Sequence, residues 1–255
     1  MDSLYKSISA LCLVISLVLL PVLLQAKEPL RIVVDVWPPY VMLQGDDLVG
    51  ADVDITKAVF AQMNVPISIE LLPWKRCLSL VESQQADAIL DASITTEREK
   101  FLYFPDEPIS RGVTVFFKKK SHFIPFEGLS DLEKIRVGAI SGYSYCDEID
   151  GSPFYDQFER VGSLDQNFQK LLLGRIDTLI EVDSVGSYTA ESMGILDQID
   201  TIPNANYCHS GSYLAFSKKP GHQDLSVQFG AVLRQFKTTD AYRQILQKYG
   251  VRQSN

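Results

Sequence analysis

The sequence predicts an α/β protein whose first half is built on parallel strands, and three observations predict it. Short β-branched apolar runs alternate with stretches of helical period, and Gly, Pro and Asn punctuate the joins. The strand–helix–strand–helix–strand order over residues 30–90 implies parallel strands joined by right-handed crossovers. The 255 residues, 46% of them hydrophobic, suffice for one large domain or two modest ones.

Residues 30–36 (LRIVVDV) read as a buried strand, stopped by Trp37-Pro38-Pro39-Tyr40, where the prolines impose an extended turn. Gly45-Asp46-Asp47 is a hairpin-type turn. A helix over 54–63 follows, with Ile55, Val59 and Met63 on one face, and ends at Asn64 before Pro66. Residues 67–72 form the second strand. Pro73 opens a helix that carries Leu78, Leu80 and Val81 and runs to Gln85. The third strand, 87–90, delivers the stretch DASITTEREKFLYFPD, residues 91–106.

That stretch holds the chemistry. A hydroxyl-rich turn (Ser93, Thr95, Thr96) and an acid–base pair (Glu97, Arg98) follow the strand, then an aromatic run re-enters the core. An arginine just past a strand's carboxyl end, among hydroxyls and free N–H groups, suits bidentate capture of a carboxylate. The alternative is a surface arginine paired with Glu97 or Glu99 and worth little. Ligands of parallel sheets gather beyond the carboxyl ends of the strands. Trp37, Trp74, Asp91, Ser93 and Arg98 all fall there. Taken alone, Trp37 and Trp74 also read as core residues, and Asp52 and Asp54 as capping or packing residues.

Residues 1–26 read as an export signal: Lys6 precedes an apolar run over 8–24, and Ala26 offers a cleavage point before Lys27. The run is also borderline for a membrane span, so a retained anchor stays open. Cys12 does not read as an acylation site, with bulky Leu11 before it. A net charge of −8 and a pI near 4.9 argue against nucleic acid or an anionic membrane as partner. After cleavage Cys77, Cys146 and Cys208 remain, enough for one internal disulfide. His122, His209 and His222 are isolated, no CxxC occurs, and neither a metal site nor a cofactor is expected.

The segments VGADVDI (49–55), QADAI (85–89) and SITTER (93–98) are similar, in order and spacing, to the bacterial extracellular solute-binding proteins of family 3, periplasmic receptors of ABC importers for polar amino acids. The likeness extends through the rest of the chain. GVTVFFK (112–118) resembles a strand leaving the first lobe, with the lysine run at 118–120 as the first hinge crossing. Residues 135–140 resemble a strand ending in Ser141-Gly142-Tyr143-Ser144, the family's second-lobe turn that meets a ligand carboxylate before a helix. A helix over 167–173, GRID (174–177) before a strand, a returning strand at 213–217, a closing helix over 224–236 and the segment after Thr239 complete the match.

The resemblance implies a two-lobed α/β periplasmic binding protein fold (type II, Venus-flytrap) with two crossing hinge strands. Residues 27–118 and 213–255 would form lobe 1 and residues 119–212 lobe 2, with the ligand between them. Arg98 would hold a carboxylate with Ser93, Ser141 and Ser144. Trp37, Tyr40, Trp74 and Tyr143 would pack the ligand, and Glu181 or Asp183 would take an ammonium group. Cys146 and Cys208 would share the second lobe and form the disulfide, leaving Cys77 a buried thiol. Departures from the family pattern are as telling. Asp91 stands where Ser, Thr or Ala is usual, Val182 falls where the ammonium-binding aspartate usually stands, and Arg76 adds a cation near the cleft mouth. A one-residue shift turns a strand side chain to the other face. The implied function is that of a monomeric, non-enzymatic periplasmic receptor passing a small polar solute to an ABC importer permease. The alternatives are a sensing subunit for a separate membrane signalling partner, or an enzyme resembling cyclohexadienyl dehydratase on the same fold, with Asp91, Glu181 and Asp183 as acid and base.

Overall fold

The structure is a computed structural model and describes residues 28–203, 205 and 208–251; the expected signal peptide, residues 1–26, lies outside the described residues. From the amino end, β1 (Leu30–Val34) leads to a hairpin of β2 (Met42–Gln44) and β3 (Asp47–Val49). Then come α1 (Ala51–Gln62), β4 (Ile67–Leu71), α2 (Trp74–Glu82), β5 (Ala88–Ala92) and β6 (Leu102–Tyr103). The long strand β7 (Ser110–Lys119) is followed by β8 (Val137–Ile140), the single turn α3 (Asp147–Asp150), β9 (Glu159–Val161) and α4 (Leu164–Leu172). Next are β10 (Thr178–Val182), α5 (Asp183–Ser192), β11 (Ile199–Thr201), β12 (Cys208–Ser217), α6 (His222–Phe236) and α7 (Asp240–Lys248).

The strands lie in the order β4-β1-β5-β12-β7-β10-β8-β9. β1 is parallel to both β4 and β5, as the crossover pattern requires, and β10 and β9 flank β8 in parallel in the second lobe. The two lobes are joined where β12 passes from β7 to β5. Its first half pairs antiparallel with β7, Cys208 opposite Thr114 through Ser212 opposite Ser110, and its second half pairs with β5.

Each lobe buries apolar side chains on both faces of its sheet. In the first lobe, α1, α6 and α7 bring Ile55, Val59, Phe60, Phe229 and Leu233 together, and Phe60 lies 5.2 Å from Phe229 between ring centroids. On the opposite face α2 packs Cys77, Leu80 and Val81 against Val33 and Ile89. In the second lobe Phe116, Val137 and Ile180 face one side of the sheet, and Phe117, Phe168 and Leu179 the other. These are the alternating positions of β7, β8 and β10.

The structure departs from the sequence expectations where backbone geometry overrides pattern. α1 begins at Ala51, not at 54, because Gly50 turns the chain with φ 137°; a Cβ there would sit 2.1 Å from the Tyr40 carbonyl oxygen. The lysine run at 118–120 is not the hinge crossing: it lies at the end of β7 in the second-lobe sheet, past the β7–β12 pairing at Ser110–Thr114. Lys118 is 7% exposed, lies opposite Thr178 on β7 and pairs with Asp200, and Lys120 donates its N–H to the Gln198 carbonyl. Asp183 is not a strand residue but opens α5.

Cys146, just before α3, is bonded to Cys208 at the head of β12, with Cα atoms 6.2 Å apart; Cys77 is a buried free thiol. This link closes a sequence separation of 62 residues. Replacing both cysteines with serine is expected to lower the unfolding free energy by about 4 kcal/mol, read as a shift in the guanidinium midpoint, with the free-thiol titre unchanged at Cys77.

Candidate functional site

The cleft is assembled where the carboxyl ends of first-lobe strands face the turn after β8. Asp35, one residue past β1, accepts the N–H of Val36 at 2.8 Å and that of Trp74 at 2.9 Å. One carboxylate thereby satisfies an otherwise open N–H of α2's first turn and fixes Trp74 at the cleft wall. The Trp74 indole N–H donates to the Gly142 carbonyl of the second lobe at 3.0 Å. Gly142 adopts φ 82°, and a Cβ there would approach the Trp74 ring to 3.3 Å. A small residue lets the two lobes meet this closely.

Arg98 lies under Trp74, its Cζ 5.4 Å from the ring centroid. Its backbone N–H is held by the Thr95 hydroxyl at 3.1 Å. Its guanidinium donates to the Ser93 carbonyl at 3.0 Å and, across the cleft, to the Gly142 carbonyl at 3.1 Å. Arg98 is 6% exposed, and no carboxylate among the described residues forms an ion pair with it. Burial lowers its pKa from the ordinary value. A guanidinium does not give up its proton in a protein, so the site holds a fixed positive charge, on which the Asp150 carboxylate acts without forming an ion pair.

Opposite stands Glu181, at 2% exposure on β10. Its Oε1 accepts the Val182 N–H at 2.8 Å and the Trp37 indole N–H at 3.4 Å, and burial pushes its carboxyl up to about 7. Trp37 stacks on Tyr40 at 4.8 Å, and the Tyr40 hydroxyl meets Ser184 Oγ at 3.1 Å across the lobes. These cross-lobe bonds close the structure around a narrow cleft with a cavity volume of about 50 Å³.

Trp37, Trp74, Asp91, Ser93, Arg98, Tyr143, Ser144 and Glu181 all line this space. The remaining expected contacts do not. Arg76 and Asp183 are exposed on the first turns of α2 and α5, Tyr40 lies behind Trp37, and Ser141 spends its N–H on the Val161 carbonyl at 2.9 Å. The choice between Glu181 and Asp183 is therefore made by the α5 start, which turns Asp183 outward and leaves Glu181 facing the cleft. Ser144 reaches the cleft but donates its hydroxyl to Asp150, which also accepts the Tyr145 N–H.

Asp91 is unusual in two ways. Its φ is +64°, the left-handed region, beside a register shift between Tyr213 and Ala215 on β12. Strand alternation would send Leu90 and Asp91 to opposite faces, yet both line the cleft. Both Asp91 carboxyl oxygens are closed off from solvent, and burial, with the Asp52 carboxyl it lies against, raises its pKa well above the ordinary value. Asp35, Thr114, Ser210 and Ser212 also line the cleft and were not anticipated. Their signal, hydroxyls interrupting apolar runs on β7 and β12, becomes readable only once those strands are known to cross at the cleft.

Two α/β lobes linked by crossing strands, with a buried charged cleft between them, define a solute-binding protein of the two-lobed kind. The chain belongs to the bacterial extracellular solute-binding proteins, family 3, whose model matches residues 30–252. It is 26% identical over 217 residues to the arginine-binding periplasmic protein of Mannheimia haemolytica, covering 84% of this chain and 87% of the relative. It is 26% identical over 241 residues to the L-arginine-binding protein of Pseudomonas aeruginosa, covering 88% of each. Among solved structures, the arginine-, lysine-, histidine-binding protein ArtJ of Geobacillus stearothermophilus superposes with a TM-score of 0.76 at 18% identity, over 89% of this chain and 97% of ArtJ. A histidine kinase sensor domain similar to periplasmic binding proteins superposes with a TM-score of 0.78 at 17% identity, over 88% and 97%. At such identities the structural matches establish the fold. The family and sequence relatives are named as binding proteins, periplasmic or extracellular, and no helix among the described residues is long and apolar enough to cross a membrane.

A pH dependence follows from Glu181. Its folded-state pKa of about 7 stands above the ordinary 4.5. The associated stability is fully present below the unfolded value and is lost as pH rises through about 7, a change of up to about 3 kcal/mol. Glu181→Gln should flatten the ligand-free stability profile between pH 5 and 8 in urea titrations. Some slope should remain, because Asp52 and Asp91 are raised in the same direction.

Proposed function

We propose that this protein is a non-catalytic periplasmic receptor that encloses a small charged solute, an amino acid or related metabolite, and delivers it to an ABC importer. The observation that carries this is Arg98, a buried cation facing the cleft with no carboxylate partner in the described structure. Burying a charge without its opposite is costly, and a ligand carboxylate supplies the missing partner. In the sequence-only expectation Ser93 and Ser144 assist with hydroxyls. Here Ser93 offers its backbone carbonyl to Arg98, while Ser144 is committed to Asp150. The carboxylate is therefore held chiefly by the guanidinium itself.

Glu181 takes the ligand's ammonium group, which holds the carboxyl in its charged form at neutral pH. Trp37, Trp74 and Tyr143 pack the apolar part between the lobes. Contacts shared by both lobes favour the closed state, because the open state keeps only those of one lobe. The names of the arginine-binding relatives support an amino-acid ligand. We take residues 1–26 as a removed signal peptide and the rest as a two-lobed monomer, in which the first lobe gives way to the second within β7, before the expected residue 118, because Phe116 and Phe117 pack in the second lobe. The passage between lobes occurs where β7 and β12 pair, at Ser110–Thr114 and Cys208–Ser212. The fold match to a histidine kinase sensor domain supports a second reading, in which the closed lobes signal to a separate membrane partner.

Thermal unfolding of residues 27–255 against amino acids, polyamines, short peptides and small carboxylates tests the receptor assignment. A true ligand at a hundredfold excess over its dissociation constant adds about 2.7 kcal/mol, and the melting temperature rises. Arg98→Ala should abolish the rise. A ligand without any carboxylate that binds equally well to Arg98→Ala would overturn the role given to Arg98. Loss of labelled-ligand uptake on deleting the gene separates import from signalling.

A further inference from the structure

The cleft beside Arg98 adjoins a larger space between the same two lobes. At about 50 Å³ the cleft has room for a few water molecules, enough for a carboxylate and little more. The adjoining chamber measures about 380 Å³, in the size range of pockets that take whole ligands. Asp35, Trp37, Tyr143 and Glu181 line both spaces, so the two are continuous at these residues. A ligand that places its carboxylate at Arg98 and its ammonium at Glu181 therefore has only the chamber into which to extend.

The walls of the chamber are mostly apolar. Val36 and Pro38 stand on the first-lobe side, and Val36 is 46% exposed. Ile140, Leu164 and Val185 stand on the second-lobe side. Val185, Thr189 and Ser192 are four and three residues apart, so they share one stripe of α5. The neighbouring stripe docks that helix on the first lobe: Ser184 meets the Tyr40 hydroxyl, and the Tyr188 hydroxyl lies 3.3 Å from Met42 Sδ. Both hydroxyls of the chamber stripe are spent within the helix. Thr189 donates to the Val185 carbonyl and Ser192 to the Thr189 carbonyl, each at 2.8 Å. Toward the chamber they keep lone pairs only, and so accept without donating. No lysine or arginine among the described residues lines the chamber. Of its acids, Asp35 is committed to two backbone N–H groups and Asp165 is exposed to solvent. A ligand guanidinium would find no uncommitted, enclosed carboxylate there besides Glu181, which the ammonium takes. Apolar walls edged by acceptors suit an uncharged group that carries a hydrogen-bond donor.

We propose that the chamber is a second subsite for a flat, uncharged apolar group with a donor on its edge, an indole or a phenol. The ligand is then an aromatic amino acid or a close relative, its head group held at Arg98 and Glu181 and its ring in the chamber. This deepens the proposed function and rests on it. Trp37 and Tyr143 offer the ring aromatic partners, and such pairs are favourable in offset or edge-to-face geometry. Tyr40 already covers one face of Trp37 at 4.8 Å and braces it. The indole N–H or phenol O–H reaches the lone pairs of Thr189 and Ser192, which have no hydroxyl proton left to compete.

Calorimetry on the mature protein with L-tryptophan, L-tyrosine, L-alanine and L-arginine tests this. L-tryptophan and L-tyrosine should bind about tenfold or more tighter than L-alanine, because only they bury a ring. Thr189→Phe, which fills the chamber from α5, should bring L-tryptophan down to the affinity of L-alanine and leave L-alanine unchanged. Ser192→Trp fills the same stripe from an exposed position and decides the matter if Thr189→Phe fails to fold. The proposal is overturned if no aromatic amino acid binds, if L-alanine binds as well as L-tryptophan, or if the filled variants bind L-tryptophan as the parent does. It is equally overturned if L-arginine binds more tightly than both aromatic amino acids, which would give the chamber to a cation. Arg98→Ala separates the two levels: if it leaves L-tryptophan binding intact, the carboxylate assignment fails. If Arg98→Ala weakens binding and the filled variants do not, only the second subsite fails.

Discussion

A buried guanidinium that forms no ion pair among the described residues is the constraint on which the rest of the structure turns. Arg98 reaches across from the first lobe to the Gly142 carbonyl of the second, and Trp74 both roofs it and donates to the same carbonyl. Two donors on one acceptor tie the lobes at a single point. That point works because Gly142 carries no side chain and Asp35 holds Trp74 by its backbone N–H. The carbonyls carry partial charge only, and they leave the full charge of Arg98 directed at the cleft.

The scaffold makes this geometry stiff on either side and adjustable in the middle. Each lobe buries large aromatic and aliphatic side chains on both faces of its sheet, and such close-packed cores move as rigid bodies. Between them run only β7 and β12, paired over Ser110–Thr114 and Cys208–Ser212. The disulfide at Cys208 anchors one of these strands to the turn beside α3, so the crossing keeps a fixed footing in the second lobe. The bonds of Trp37, Tyr40, Trp74 and Arg98 to that lobe hold the cleft closed.

Asp91 shows how one backbone angle reorders the end of a strand. A strand of regular alternation would have turned it away from Leu90's side. The left-handed turn and the bulge opposite it bring the acid to the cleft and against Asp52. Burial raises the pKa of both Asp91 and Glu181, while Arg98 keeps its charge.

By itself the sequence determined the parallel first lobe, the packing faces of its helices, and the position of Arg98 and Trp74 at strand and helix ends. Those properties follow from local periodicity and from proline and glycine placement, which act over a few residues. The family likeness added the second lobe and the pairing of Cys146 with Cys208. Tertiary structure alone decided which acids face the ligand. Glu181 and Asp183 are two residues apart and chemically alike, and the start of α5 between them sends one inward and the other to solvent. It also decided that Arg76 stays outside, that Ser144 is taken by Asp150, and that Thr114 and Ser212 line the cleft. Most of these depend on how β7, β10 and β12 cross at the cleft, which brings together residues distant in the chain that no window of sequence contains.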